Sequence, residues 1–144
     1  MKLNISAALK TPGEPFPFSE TLDALSIDYA VKVVSPIAVS GVCFGQPGSV
    51  LIEAKAETTL ELKCDRCTDS FIMPVSAEIS EVFYKEPKAD DDQGYEIEGN
   101  SLDLDLVTGN CIFIELPRKL LCKEDCRGLC PACGANLNHG ECSC

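Results

Sequence analysis

Eight of the ten cysteines in this 144-residue chain fall into short pairs, and that spacing constrains the fold more than any other feature. The pairs are Cys64-x2-Cys67, Cys122-x3-Cys126, Cys130-x2-Cys133 and Cys142-x-Cys144. Two thiolates a few residues apart can face one ion, so repeated pairs are the pattern of a metal site, whereas a disulfide framework usually spreads its half-cystines. The start, MKLNISAALKTPGEPFPFSE, has no charged n-region followed by an apolar stretch and is interrupted by Pro12, Pro15 and Pro17, so no signal peptide is expected. No run approaches the roughly 18 apolar residues of a membrane span. A cytoplasmic protein is expected, and in that compartment metal is favoured over disulfides. Iron–sulfur binding uses the same thiolates and is the harder alternative to exclude.

Cys130-Pro-Ala-Cys133-Gly134 is the sharpest element. Gly after the second thiol permits a positive φ, so the segment can form a knuckle with backbone N–H groups aimed at sulfur. Such a half-site needs a second pair. Cys142 and Cys144 can close it locally, leaving Cys64, Cys67, Cys122 and Cys126 for a second site that stitches the tail onto the rest. In the rival division Cys122, Cys126, Cys130 and Cys133 surround one ion and Cys142 and Cys144 are spare or bind a second metal. One or two zinc ions are therefore expected, and they are structural, because four thiolates leave no position open for water or substrate. His139, the only histidine, is an alternative ligand or an exposed loop residue. Cys43 and Cys111 lie in apolar runs and read as buried packing residues.

The rest of the chain reads as mainly β. Three runs rich in Val, Ile, Thr and Phe, at 37–44, 50–63 and 71–84, are separated by Gly45-Gln-Pro-Gly48 and by Cys64-Asp-Arg-Cys67, which suggests an antiparallel meander. Residues 3–9 alternate loosely and read as a strand, as does the segment ending in Tyr29-Ala-Val-Lys-Val-Val34 after the Pro-rich stretch 12–17. Residues 85–103, with Asp90-Asp91-Asp92 near the centre, read as a mobile acidic loop. From Leu104 to Leu116 the pattern fits either a short helix followed by a strand or a single strand, and Gly109 weakens any helix. The expected architecture is α+β, mainly β: an antiparallel meander or partly open barrel over residues 1–116, with a Cys-rich zinc-binding module over 117–144 packed on it. That tail has few large apolar residues and should be disordered without metal.

Charge restricts the partner. The 23 acidic and 12 basic residues give a formal −11, which argues against phosphate neutralisation by the whole surface. Residues 1–116 hold 8 basic and 20 acidic side chains; residues 117–144 hold four basic (Arg118, Lys119, Lys123, Arg127) and three acidic ones. No Ser-His-Asp set, phosphate-binding loop or HExxH motif is present. Cys64-Asp-Arg-Cys67 has the form of a redox pair but sits between two strands rather than at a helix start, so thiol-redox chemistry is the third-ranked reading.

The runs LELKCDRCTDSF, LDLDLV and IELPRKLLCKEDCRGLCPACGANLN, with a closing CSC, resemble the YceD family, bacterial and plastid proteins described as large ribosomal RNA subunit accumulation proteins. The resemblance covers roughly residues 30–144, and its specific part is Cys126-Arg-Gly-Leu-Cys130-Pro-Ala-Cys133-Gly-Ala-Asn-Leu-Asn138. It implies a role in 23S ribosomal RNA maturation or accumulation, with family members tending to be encoded beside a large-subunit ribosomal protein. It implies no enzyme. Two functions follow: a non-enzymatic factor that meets a basic large-subunit ribosomal protein or a protein–RNA junction through its acidic sheet, or a zinc module that contacts 23S precursor RNA through the tail.

Overall fold

A computed structural model describes residues 2–23, 31–86 and 94–144. Along these run β1 (Lys2–Asn4), α1 (Ser6–Lys10), β2 (Pro15–Leu22), β3 (Lys32–Val33), β4 (Ile37–Gln46), β5 (Ser49–Lys63), β6 (Ser70–Tyr84), β7 (Tyr95–Glu96), β8 (Ser101–Asp103) and α2 (Leu104–Glu115). The main sheet has the order β2-β4-β5-β6-β7, and β1 pairs with β8 in a separate ribbon.

β4, β5 and β6 are the expected meander, antiparallel throughout, and β7 adds a short parallel edge to β6. Alternation along β5 puts Ile52, Ala56, Leu60 and Leu62 on a buried face and Glu53, Lys55 and Glu57 on a wet one. That period-2 pattern belongs to a sheet covered on one side only. The cover is α1, which contacts β2 and β4, and α2, which lies on β6. Leu3, Ile5, Ala8, Ile52, Phe83, Leu102, Leu104 and Ile112 meet in one core between the layers. Gly45 permits the close approach of α1, since a Cβ there would run into the Ala8 carbonyl oxygen.

β3 pairs with β5 on the same flank as β4, and Ser35 bridges the gap between the two. Its hydroxyl accepts from the Thr59 N–H at 2.9 Å and its carbonyl accepts from the Thr58 hydroxyl at 3.1 Å. The sheet therefore stays closed on that side of β5 even though Pro36 interrupts the strand.

Three expectations need correction. Residues 3–9 are not one strand: β1 ends at Asn4, whose side-chain oxygen accepts from the Ser6 N–H at 2.9 Å and turns the chain into α1. Ile5, which caps α1, and Ala8 within it are then both buried. The strand expected after the Pro-rich stretch 12–17 has a counterpart that begins inside it. Pro15 and Pro17 belong to β2, an edge strand, where a missing N–H can face solvent. Finally, 104–115 is a single helix with no strand in it. Asp103 caps it by accepting from the Asp105 N–H, and the buried Leu104, Val107, Thr108 and Ile112 follow helical spacing that outweighs Gly109. Within the acidic stretch 85–103, Tyr95–Glu96 and Ser101–Asp103 are short strands. The Asp90–Asp92 run and Tyr29 lie outside the described residues.

Candidate metal centres

The turn between β5 and β6 carries the first thiol pair. The Cys64 N–H donates to the Asp69 carbonyl at 2.9 Å and the Thr68 N–H donates to the Cys64 carbonyl at 3.0 Å. The tail repeats this turn: the Cys130 N–H donates to the Ala135 carbonyl and the Gly134 N–H to the Cys130 carbonyl, both at 2.8 Å. These are two copies of one knuckle, and both need a left-handed residue after the second Cys. Gly134 supplies it at φ 76°, whereas the first knuckle uses Thr68 at φ 63°. A β-branched residue there carries about 1–2 kcal/mol of strain. Thr68→Gly is therefore expected to raise stability by about 1 kcal/mol, or about 3 °C in Tm, after the extra freedom it gives the unfolded chain. A lower Tm would show that the Thr68 side chain makes a compensating contact.

Each knuckle acquires a second pair. Cys64, Cys67, Cys122 and Cys126 form one tetrad and Cys130, Cys133, Cys142 and Cys144 the other, with the sulfurs of each within 4.8 Å of one another. The closest separations are 3.6 Å for Cys67–Cys122 and 3.7 Å for Cys64–Cys126 in the first, and 3.5 Å for Cys142–Cys130 and 3.9 Å for Cys130–Cys144 in the second. A tetrahedral ion with metal–sulfur bonds of about 2.3 Å has sulfur–sulfur edges of about 3.8 Å. Disulfide sulfurs would lie at about 2.05 Å, and a polynuclear cluster would spread the thiolates over several metal atoms. The spacing fits one ion per tetrad. Cys43 and Cys111 lie in or against the main core, where burial pushes both thiols up. His139 joins neither tetrad; its Nε2 lies 3.0 Å from Asp69 Oδ2.

The first tetrad is enclosed: Cys64, Cys67 and Cys126 are buried, with Phe71 and Leu121 packed against them. Burial opposes ionisation of Cys64, but N–H groups of Cys67, Cys122 and Arg66 aimed at its sulfur outweigh it and bring the thiol down to about 6. Cys122 is pushed up to about 12 by burial and by the neighbouring sulfurs of Cys67, Cys126 and Cys64. In the second tetrad the N–H groups of Cys133 and Ala132 bring Cys130 down to about 6, while Cys133 and Cys130 push Cys144 up to about 11. Four thiolates this close repel one another, so the early ones leave the later ones protonated. A divalent cation removes that conflict, and the donor set suits a soft or borderline metal.

Polar contacts dock the tail on the sheet. The Asp65 N–H donates to the Leu120 carbonyl while its carboxylate accepts from the Leu120 N–H, both at 2.7 Å. Arg66 donates to the Cys126 carbonyl at 3.1 Å, and Gly128 lies against the Arg66 backbone. Cysteine spacing predicts none of these partners. Their only trace in the sequence is the polar character of Asp65, Arg66 and Asp69 within and beside a turn.

The fold and the tetrads together define a mainly β domain bearing two four-cysteine knuckle centres. The family model "Large ribosomal RNA subunit accumulation protein YceD" matches residues 52–144, which include all eight paired cysteines, and the chain belongs to that family. Uncharacterized proteins of Mycobacterium bovis and Mycobacterium tuberculosis are 26% identical to it over 150 residues, covering 95% of this chain and 70% of theirs. No solved structure matches the chain significantly. Membership associates it with large-subunit ribosomal RNA accumulation. Among the described residues, no helix is long and apolar enough to cross a membrane.

Proposed function

We propose that the chain is a non-enzymatic, cytoplasmic ribosome-biogenesis factor whose two tetrads bind structural zinc. Its acidic sheet meets a basic large-subunit ribosomal protein, alone or at a protein–RNA junction. The ligands in this reading are Cys64, Cys67, Cys122 and Cys126 for one ion and Cys130, Cys133, Cys142 and Cys144 for the other. Zinc supplies stability and no chemistry here, since four thiolates fill its coordination.

The observation that carries the partner reading is the face of the sheet that no described helix covers. The register places Glu53, Glu57 and Glu78 on it beside Lys55, among the small side chains Ser40, Ser76 and Ser80. Glu61 shares this face opposite Lys32, with Lys63 two residues on, and Lys55 is tied to Glu57 at 2.7 Å, so the acidic excess is small and centres on Glu53 and Glu78. Such a face favours cationic partners and repels phosphate.

A titration of the full, zinc-loaded chain against purified large-subunit ribosomal proteins and against 23S RNA fragments, at several salt concentrations, tests this. Binding to a basic ribosomal protein is expected, and Glu53→Lys with Glu78→Lys should weaken it about 10-fold, or about 1.4 kcal/mol. Arg118, Lys119, Lys123 and Arg127 are all exposed around the first tetrad and favour the second reading, direct RNA contact. Binding to RNA alone, steeply weakened by salt and insensitive to the Glu changes, would replace the first reading with the second.

A further inference from the structure

The strap Asn136–His139 lies between Cys133 and Cys142, two thiols of the second tetrad, yet its polar side chains reach the first. Asn138 Nδ2 donates to Cys126 Sγ at 3.3 Å. Its Oδ1 accepts from the Arg127 N–H at 2.9 Å, which fixes the orientation of the amide: the oxygen must face that N–H, leaving the NH2 group for the sulfur. The Asn138 N–H in turn donates to Asn136 Oδ1 at 3.0 Å. Asn136 Nδ2 and His139 Nε2 both meet Asp69 Oδ2, at 2.8 and 3.0 Å, two residues beyond Cys67. The Leu137 N–H donates to the Gly128 carbonyl at 2.9 Å. One continuous set of contacts thus runs from the loop of the second tetrad to a sulfur of the first.

We propose that Asn138 is a positioning residue that couples the two centres, so that metal in the second raises the affinity of the first. This rests on the reading that the tetrads bind zinc. Loading the second centre joins Cys133 to Cys142 through the ion, closes the loop between them and fixes the strap. Nδ2 is then held against the Cys126 thiolate, where its N–H disperses negative charge from a site with a formal −2. Donors to ligand atoms typically change metal affinity about 10–100-fold when removed. The coupling is reciprocal, so metal in the first centre also favours the second.

The experiment uses the full chain, reduced, with zinc set by a competing chelator, and reads the amide resonances of Cys67 and Cys133 as separate reporters of the two centres. The unaltered chain is expected to take two ions. Cys142→Ser, which removes a ligand of the second centre, should weaken the first about 10-fold. Asn138→Ala should weaken the first by a similar factor with all eight thiols present. Asn138→Asp should weaken it more, because a carboxylate beside the thiolate repels it; a packing role alone would make this near-isosteric change the milder one. In the Asn138→Ala chain, Cys142→Ser should cost the first centre nothing further.

An equal cost of Cys142→Ser with and without Asn138, or a milder effect of Asp than of Ala, overturns the coupling. If Cys142→Ser leaves the tail unfolded at every zinc level, the zinc titration decides: the Cys67 and Cys133 resonances should shift together in the unaltered chain and separately in Asn138→Ala, and separate shifts in the unaltered chain overturn the coupling. Failure of the unaltered chain to bind zinc removes the zinc reading itself, whereas two ions bound independently removes only the coupling.

Discussion

Excess chelator, added to the reduced chain, is expected to unfold residues 117–144 while β4, β5 and β6 stay folded. From Pro117 to Cys144 the only buried residues are Cys126, Gly128 and Cys130; Leu120, Leu121 and Leu137 are half-buried and Leu129 is exposed. A segment with so little apolar burial cannot offset the roughly 1–2 kcal/mol per residue lost in ordering its backbone. Bound as proposed, structural zinc would add roughly 10–16 kcal/mol of apparent binding free energy per site at neutral pH, the largest single contribution open to so small a segment. The sheet has its own core and does not depend on the ion. Heteronuclear NMR gives the comparison directly: tail amides should collapse to unfolded positions and recover on adding zinc, while those of β4–β6 hold. Tail amides that remain dispersed in chelator would show that burial and hydrogen bonds suffice, and the zinc reading would lose its main support.

Phe83→Ala is expected to cost about 3–5 kcal/mol, the largest effect of any single truncation in the sheet core. Phe83 is 1% exposed and is among the largest fully buried side chains. It sits where β6 pairs with both β5 and β7, and its ring lies 5.2 Å from that of Tyr95. Tyr95 in turn accepts from Asn110 Nδ2 at 3.1 Å, so the truncation loosens β7 and its tie to α2 together. Denaturant unfolding measured on zinc-loaded protein should show a lower midpoint with little change in slope. A cost below about 1 kcal/mol would mean that the surroundings collapse into the cavity.

The central strands were readable in the sequence because β4, β5 and β6 are long, rich in β-branched residues and bounded by turns. The two tetrads correspond to one of the two divisions that spacing allows. Spacing could not choose between them, because the choice depends on the β5–β6 turn meeting a segment 55 residues later. What escaped was set by short-range polar contacts. Asn4 turns the chain from β1 into α1, Asp103 starts α2, and an edge position accepts Pro15 and Pro17. Hydrophobic periodicity carries no trace of any of these. Asn138 escaped for a related reason: an asparagine after a Cys knuckle reads as a loop residue until its amide is seen against a sulfur of the other tetrad.

The first knuckle is also the turn that joins the two longest strands, so half of the first centre is built as soon as that hairpin forms. Cys122 lies 58 residues beyond Cys64 in the chain, and an ion held by both closes a loop of that size. Cross-linking so long a loop restricts the unfolded chain much as a disulfide would, by several kcal/mol in the loop-entropy account. Unlike a disulfide, this latch does not depend on an oxidising compartment, and acid or a competing ligand can open it. With zinc bound as proposed, the tail would then be released and recaptured while the sheet beneath it stays intact.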